Sequence, residues 1–131
     1  MKSFSYGAAG LLSLVMGATT GCRPATQVTF DLTTDVPCDR VQGTSISVGI
    51  DVGVERSAPV TVTTNCTPQG TVGAIGTYSV TPGKAGNAVF KVALAAEPGL
   101  NVETDCVAAK HYQGCIVARR AVNFVAQHGL T

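Results

Sequence analysis

The chain has little charge and almost none of the residues that catalysis uses. Charged residues make up 13% of its 131 residues, nine basic against eight acidic, and no basic stripe or acidic tail stands out. A nucleic-acid interface needs such a stripe, so nucleic acid is excluded as an expected partner. There is no tryptophan, and His111 and His128 are the two histidines. A Ser-His-Asp site needs a histidine held by a buried acid, and neither position offers that context. No Gly-x-Ser-x-Gly elbow, phosphate loop or dinucleotide fingerprint occurs. No Cys-x-x-Cys pair occurs either, which argues against a four-cysteine zinc site. No stretch keeps helical periodicity. The expectation is a protein that is not an enzyme and carries no cofactor or metal.

What is present begins at the N-terminus. Lys2 precedes an apolar run from Tyr6 to Met16, 11 residues long. That is well short of the ~20 needed to cross a bilayer. The small residues Gly17-Ala18-Thr19-Thr20-Gly21 follow and end on Cys22. A positive start, a short apolar run and small residues before a cleavage point make an export signal. A cysteine at that point resembles a bacterial lipoprotein signal, in which Cys22 becomes the lipidated first residue. Thr19 stands where an aliphatic residue is usual, and Thr19 with Gly21 also admits cleavage without lipid. The expected organisation is a signal peptide at 1–21, a short tether at 22–25 and one β domain at 26–131. Removal of residues 1–21 leaves 110, one domain's worth, with no formal net charge.

Of the five cysteines, four remain after Cys22: Cys38, Cys66, Cys106 and Cys115. An even remainder in an exported chain reads as two disulfides, for which three pairings exist. Placement favours Cys38–Cys66, joining two loops that flank consecutive strands, and Cys106–Cys115, closing a short loop within a hairpin. By the loop-entropy relation the first would contribute ~3–4 kcal/mol and the second somewhat under ~3.

The rest of the chain alternates with period two, as strands packed on one side do. Val28, Phe30 and Leu32 share a face. So do Ile46, Val48, Ile50, Val52 and Val54, against Ser45, Ser47, Gly49, Asp51 and Gly53. Ala88, Phe90, Val92 and Leu94 oppose Val89, Lys91 and Ala93. Weaker strands run through Val60–Thr63, Thr77–Val80 and Cys115–Val125. Turn residues separate them at Val36-Pro37-Cys38, Ser57-Ala58-Pro59, Thr67-Pro68-Gln69-Gly70, residues 82–87 and Glu97-Pro98-Gly99. About six or seven strands of this kind predict an all-β antiparallel β-sandwich, Ig-like or transthyretin-like in outline. The tryptophan of a true immunoglobulin core is missing.

Arg120 breaks the pattern, because Ile116, Ala118, Val122 and Phe124 share its face. A β-bulge at Arg119-Arg120, placement at a sheet edge, or a buried acidic partner would each accommodate it. Asp31, Asp35 and Asp39 fall four apart and Glu103 and Asp105 flank Thr104, but without an Asp-x-Asp-x-Asp-Gly loop they read as structural and not as calcium ligands, with Asp35, near Pro37, a turn former. Lys110, His111 and Tyr112 lie inside the expected Cys106–Cys115 loop. A disulfide-closed loop carrying an aromatic and cations is a preorganised contact surface, so these three form the candidate recognition patch.

Two segments carry a resemblance. Val28–Asp39, with Thr44–Gly49 after it, and Gly114–Val125 resemble predicted lipoproteins of myxobacteria and related delta-proteobacteria. In that family a strand ends in Thr-Asp-x-Pro and another reads Cys-Ile-Val-Ala-Arg-Arg. Thr71–Thr77 is similar to the family's middle segment. The likeness covers nearly all of the chain after Cys22 and implies location and fold more than activity. Relatives usually continue with a further apolar strand and a cysteine-rich tail, whereas this chain stops at Thr131. Arg23, following Cys22 in place of aspartate, resembles outer-membrane sorting. The function expected is a lipid-anchored cell-envelope protein, attached to the membrane through Cys22 and acting on other envelope proteins as an interaction or structural module. The alternative is a soluble secreted binder, such as a protease inhibitor, using the Cys106–Cys115 loop.

Overall fold

The computed structural model describes residues 27–80 and 87–123. The signal peptide, Cys22, the tether, most of the loop at 82–87, Phe124, Val125 and His128 lie outside the described residues. Seven strands are described: β1 (Val28–Thr34), β2 (Gly43–Gly49), β3 (Pro59–Thr63), β4 (Thr67–Gln69), β5 (Val72–Val80), β6 (Asn87–Ala95) and β7 (Cys115–Asn123). They form two antiparallel sheets, ordered β1-β5-β4 and β3-β2-β6-β7. The expected β-sandwich is the architecture found. Among the described residues the regular elements other than strands are three 3₁₀ turns, Cys38–Arg40, Asp51–Glu55 and Ala108–Lys110.

The long alternation from Ser45 to Val54 does not form one strand. β2 stops at Gly49, and Asp51 takes a left-handed conformation, φ 51°, that starts a 3₁₀ turn. The turn folds back on Gly49, where a Cβ would lie 2.7 Å from the backbone of Val54. Only glycine admits that approach. Val54 is thereby buried, while Ile50 and Val52 stand exposed. Thr67-Pro68-Gln69, expected as a turn, is instead the short strand β4, closed onto β5 through Gly70 at φ 61°.

The expectation that strands are packed on one side only fails for β2 and β6. Thr44, Ser45, Ile46 and Ser47 are all buried, and so is Lys91. The inner face meets the other sheet through Ile46, Phe90, Leu94 and Ile75, and Phe90 packs on Phe30 with ring centroids 4.6 Å apart. The outer face is roofed by the long connection 96–114. Val102 and Cys106 press on Ala93 and Ala95, with Leu100, Cys115 and Val117 around them. A small-residue row on a strand is therefore a seat for this second layer, not a solvated face.

Both expected disulfides are present, with Cα–Cα distances of 5.4 Å for Cys38–Cys66 and 5.7 Å for Cys106–Cys115. The first passes over the middle of the smaller sheet, where Gly73 pairs with Thr34 on one side and Pro68 on the other. A Cβ on Gly73 would come within 2.6 Å of the Cys66 sulfur and 2.8 Å of the Cys38 sulfur. The second clamps the roof to the start of β7.

Pairing of β6 with β7 runs without a break from Asn87↔Asn123 to Ala95↔Cys115. There is no bulge at Arg119-Arg120. Arg120 keeps the inner face opposite Phe90, and edge placement accommodates it: among the described residues β7 pairs only with β6, and Arg120 is exposed. It makes no ion pair among them.

Candidate functional site

Two places combine concavity with chemistry. The first is the cleft between the sheets. Its cavity of about 510 Å³ is walled by Phe30, Leu32, Ile46, Ile75, Phe90 and Ile116, with Arg120 also lining it. The facing strands, β1 and β7, are each bonded on one side only among the described residues. Ile116, on the inner face, is consequently 49% exposed. Thr44 lines the same cavity, and its buried hydroxyl has no partner among the described residues.

The second place is a polar hub on the opposite face of the larger sheet. Register puts Ser47 of β2, Lys91 of β6 and Arg119 of β7 side by side across three strands. Like charges directly opposed across a ladder repel. Glu55, delivered by the 3₁₀ turn after β2, relieves this repulsion for Arg119. The Arg119 Nε donates to Glu55 Oε1, and its Nη2 donates to Oε2 at 3.1 Å. The Tyr112 hydroxyl donates to Glu55 Oε2. Lys91 Nζ donates to the Glu55 backbone carbonyl at 3.4 Å and to the Tyr112 hydroxyl oxygen at 3.3 Å. Both cations lie 5.5 Å from the Tyr112 ring centre, within cation–π range.

The charges respond accordingly. The Arg119 hydrogen bonds, helped by that from Tyr112, hold the Glu55 carboxyl down to about 2. Burial pushes the Tyr112 phenol up, and its bond to Glu55 adds to this. Arg119 is raised by Glu55. Burial pushes the Lys91 ammonium down, and Glu55 opposes that only in part.

The residues expected to form a recognition patch separate. Lys110 is exposed and tied to Asp105 at 2.6 Å, an interaction that lowers the Asp105 carboxyl together with the Asn101 backbone N–H. His111 is exposed at the tip. Tyr112 turns inward to the hub. Both His111 and Tyr112 have φ 53°, a left-handed pair that reverses the chain after the 3₁₀ turn. Of the other grouped carboxylates, Asp31 accepts from Thr77 at 2.9 Å and Asp105 from Lys110. Among the described residues no group of three His, Cys, Asp or Glu side chains could hold a metal ion. Glu55, Lys91 and Arg119 were not legible as a unit in the sequence. The one available signal was Lys91, a single charge within the apolar and small residues of β6.

No protein-family model matches the chain, and neither a curated protein nor a solved structure matches it.

Proposed function

We propose that this chain is an exported, lipid-anchored module of a bacterial cell envelope, attached through Cys22 and acting by interaction with other envelope proteins, not by catalysis. The observation that carries the interaction role is the apolar cleft between the sheets, where Ile116 remains 49% exposed and Arg120 also lines the wall. Clefts with apolar walls and few polar groups are what binding sites require, and a strand bonded on one side only can accept another. The anchor rests on Lys2, the short apolar run and Cys22, and on the resemblance of residues 28–39 and 114–125 to predicted lipoproteins. The two disulfides suit an oxidising compartment outside the cytoplasm. Stable attachment needs more than a single acyl chain, which a lipoprotein-type anchor supplies. The second reading, a secreted inhibitor, draws on the exposure of Lys110 and His111 at the disulfide-closed tip.

Intact mass, measured on membrane and medium fractions before and after reduction, tests the anchor. The expected species is in the membrane, starts at Cys22, is heavier by its acyl chains and gains four hydrogens on reduction of its two disulfides. Cys22→Ser should move the protein to the medium. An unacylated wild-type protein in the medium would overturn the anchor and favour the secreted binder. A photo-crosslinker at position 116 should capture envelope proteins, and Arg120→Glu should change which are captured. Unchanged capture with a crosslinker on the exposed side of β3 instead would remove the cleft from the reading.

A further inference from the structure

The polar hub carries one positive charge too many for its depth. Lys91 and Arg119 face a single carboxylate, Glu55, and both of its oxygens are engaged by Arg119. Lys91 is 5% exposed, and its two acceptors are uncharged: a backbone carbonyl and a phenol. Among the described residues no carboxylate forms an ion pair with it. A buried charge without a counter-charge is costly, and protein interiors normally supply one. An ammonium has three donors, so after these two bonds one N–H remains.

Lys91 also borders a cavity of about 400 Å³, under the roof formed by the 96–114 connection. It is lined by Lys91, by the exposed Arg56 and by the hydroxyl residues Ser45 and Ser47, while the Ser57 hydroxyl, also on its wall, donates to the Gly53 carbonyl at 3.1 Å. Val102, Cys106 and Val107 supply an apolar side. Ser45 and Ser47 are themselves buried, at 3% and 1% exposure. A cation, a second cation and hydroxyls converging on a concave space is the donor set of an anion site. Glu55 and Glu103 also line the space, so a doubly charged anion would be repelled. The excess to be balanced is one charge.

We propose that this cavity binds a small molecule bearing a single carboxylate, with the carboxylate on Lys91, Arg56 as its second cation, and the rest of the ligand against Val102 and Val107. The proposal does not rest on the lipid anchor or on the inter-sheet cleft. Nothing covalent occurs. The ligand supplies the counter-charge that the fold leaves out, and the Cys106–Cys115 loop roofs it.

Acetate and butyrate, as sodium salts against sodium chloride of equal ionic strength, are the probes. Binding is read from the amide shifts of residues 45–47, 55–57 and 102–108 and from the Lys91 Cε and Nζ resonances. The expected result is saturable shifts confined to those residues, with butyrate tighter than acetate because it reaches the apolar side. Bound carboxylate should also raise the pH at which Lys91 titrates. Lys91→Met should weaken butyrate at least ~10-fold, and Arg56→Gln ~3–10-fold, in keeping with the loss of one charged hydrogen bond each. Lys110→Gln should change nothing. Because Lys91→Met removes an unbalanced buried charge, that variant should melt no lower than the wild type, so its loss of binding would not be a loss of fold. If Lys91→Met does not fold, the wild-type shifts and Arg56→Gln decide the matter. The proposal is overturned if butyrate up to ~50 mM, far above a millimolar Kd, gives no saturable shift. It is equally overturned if Lys91→Met binds as the wild type does, or if chloride produces the same shifts.

Discussion

Replacing Glu55 by glutamine tests whether the hub holds the second layer on the sheet. The substitution keeps size and an acceptor but removes the charge that Arg119 and Tyr112 address. A carboxyl held at about 2 in the folded state, against 4.5 in the unfolded chain, stabilises the fold by up to ~3 kcal/mol once fully ionised. Arg119 is 43% exposed and Glu55 28%, so solvent screens much of that, and about 1–2 kcal/mol is the expected loss at neutral pH. The folded-state value lies below the unfolded one. The contribution is therefore complete above about pH 4.5 and fades as the pH falls toward 2. Denaturant unfolding of the oxidised protein, wild type and Glu55→Gln, at a series of pH values reads this directly. The gap between the two should be widest at neutral pH and close under acid. A gap below ~0.3 kcal/mol at neutral pH, or one that persists unchanged to pH 2, would refute the reasoning, because the loss would then not come from the ionised carboxylate.

Two further substitutions probe the packing. Phe90→Ala removes the ring that meets Phe30 at 4.6 Å from a residue only 3% exposed, and should cost about 3–5 kcal/mol in denaturant unfolding. A loss below ~1 kcal/mol would mean the two sheets are not held together there. Gly73→Ala places a Cβ within 2.6 Å of the Cys66 sulfur, so the protein should either retain free Cys38 and Cys66 thiols or lose about 1–3 kcal/mol by overpacking. Thiol titration and the denaturation midpoint check this together, and a fully oxidised protein with the wild-type midpoint would contradict the close approach.

The strands whose alternation was read in the sequence are largely present, because period two is a local consequence of the pleat. The misreadings have one physical origin. Val52 and Val54 continue the alternation of β2, but the backbone approach at Gly49 and the left-handed Asp51 turn the chain away, and neither can be read from side-chain polarity. Ser45 and Ser47 look solvent-facing by type, yet a connection more than fifty residues further along the chain covers them. Arg120 keeps its register because β7 pairs on one side only among the described residues, which is a property of strand order and not of β7 itself.

What the sequence by itself determined is the all-β class and the approximate strand positions, and it favoured one of the three pairings of the four cysteines, the one the structure contains. Each follows from short-range pattern, or from the few ways that loops at strand ends can meet. The tertiary structure alone decided which strands are neighbours, that both faces of β2 and β6 are covered, and that Tyr112 leaves its loop to join Glu55, Lys91 and Arg119. These depend on contacts between residues 21 to 64 positions apart, such as Lys91 with Tyr112 and Glu55 with Arg119. Their energy exists only once the chain has closed on itself, so no local pattern records them.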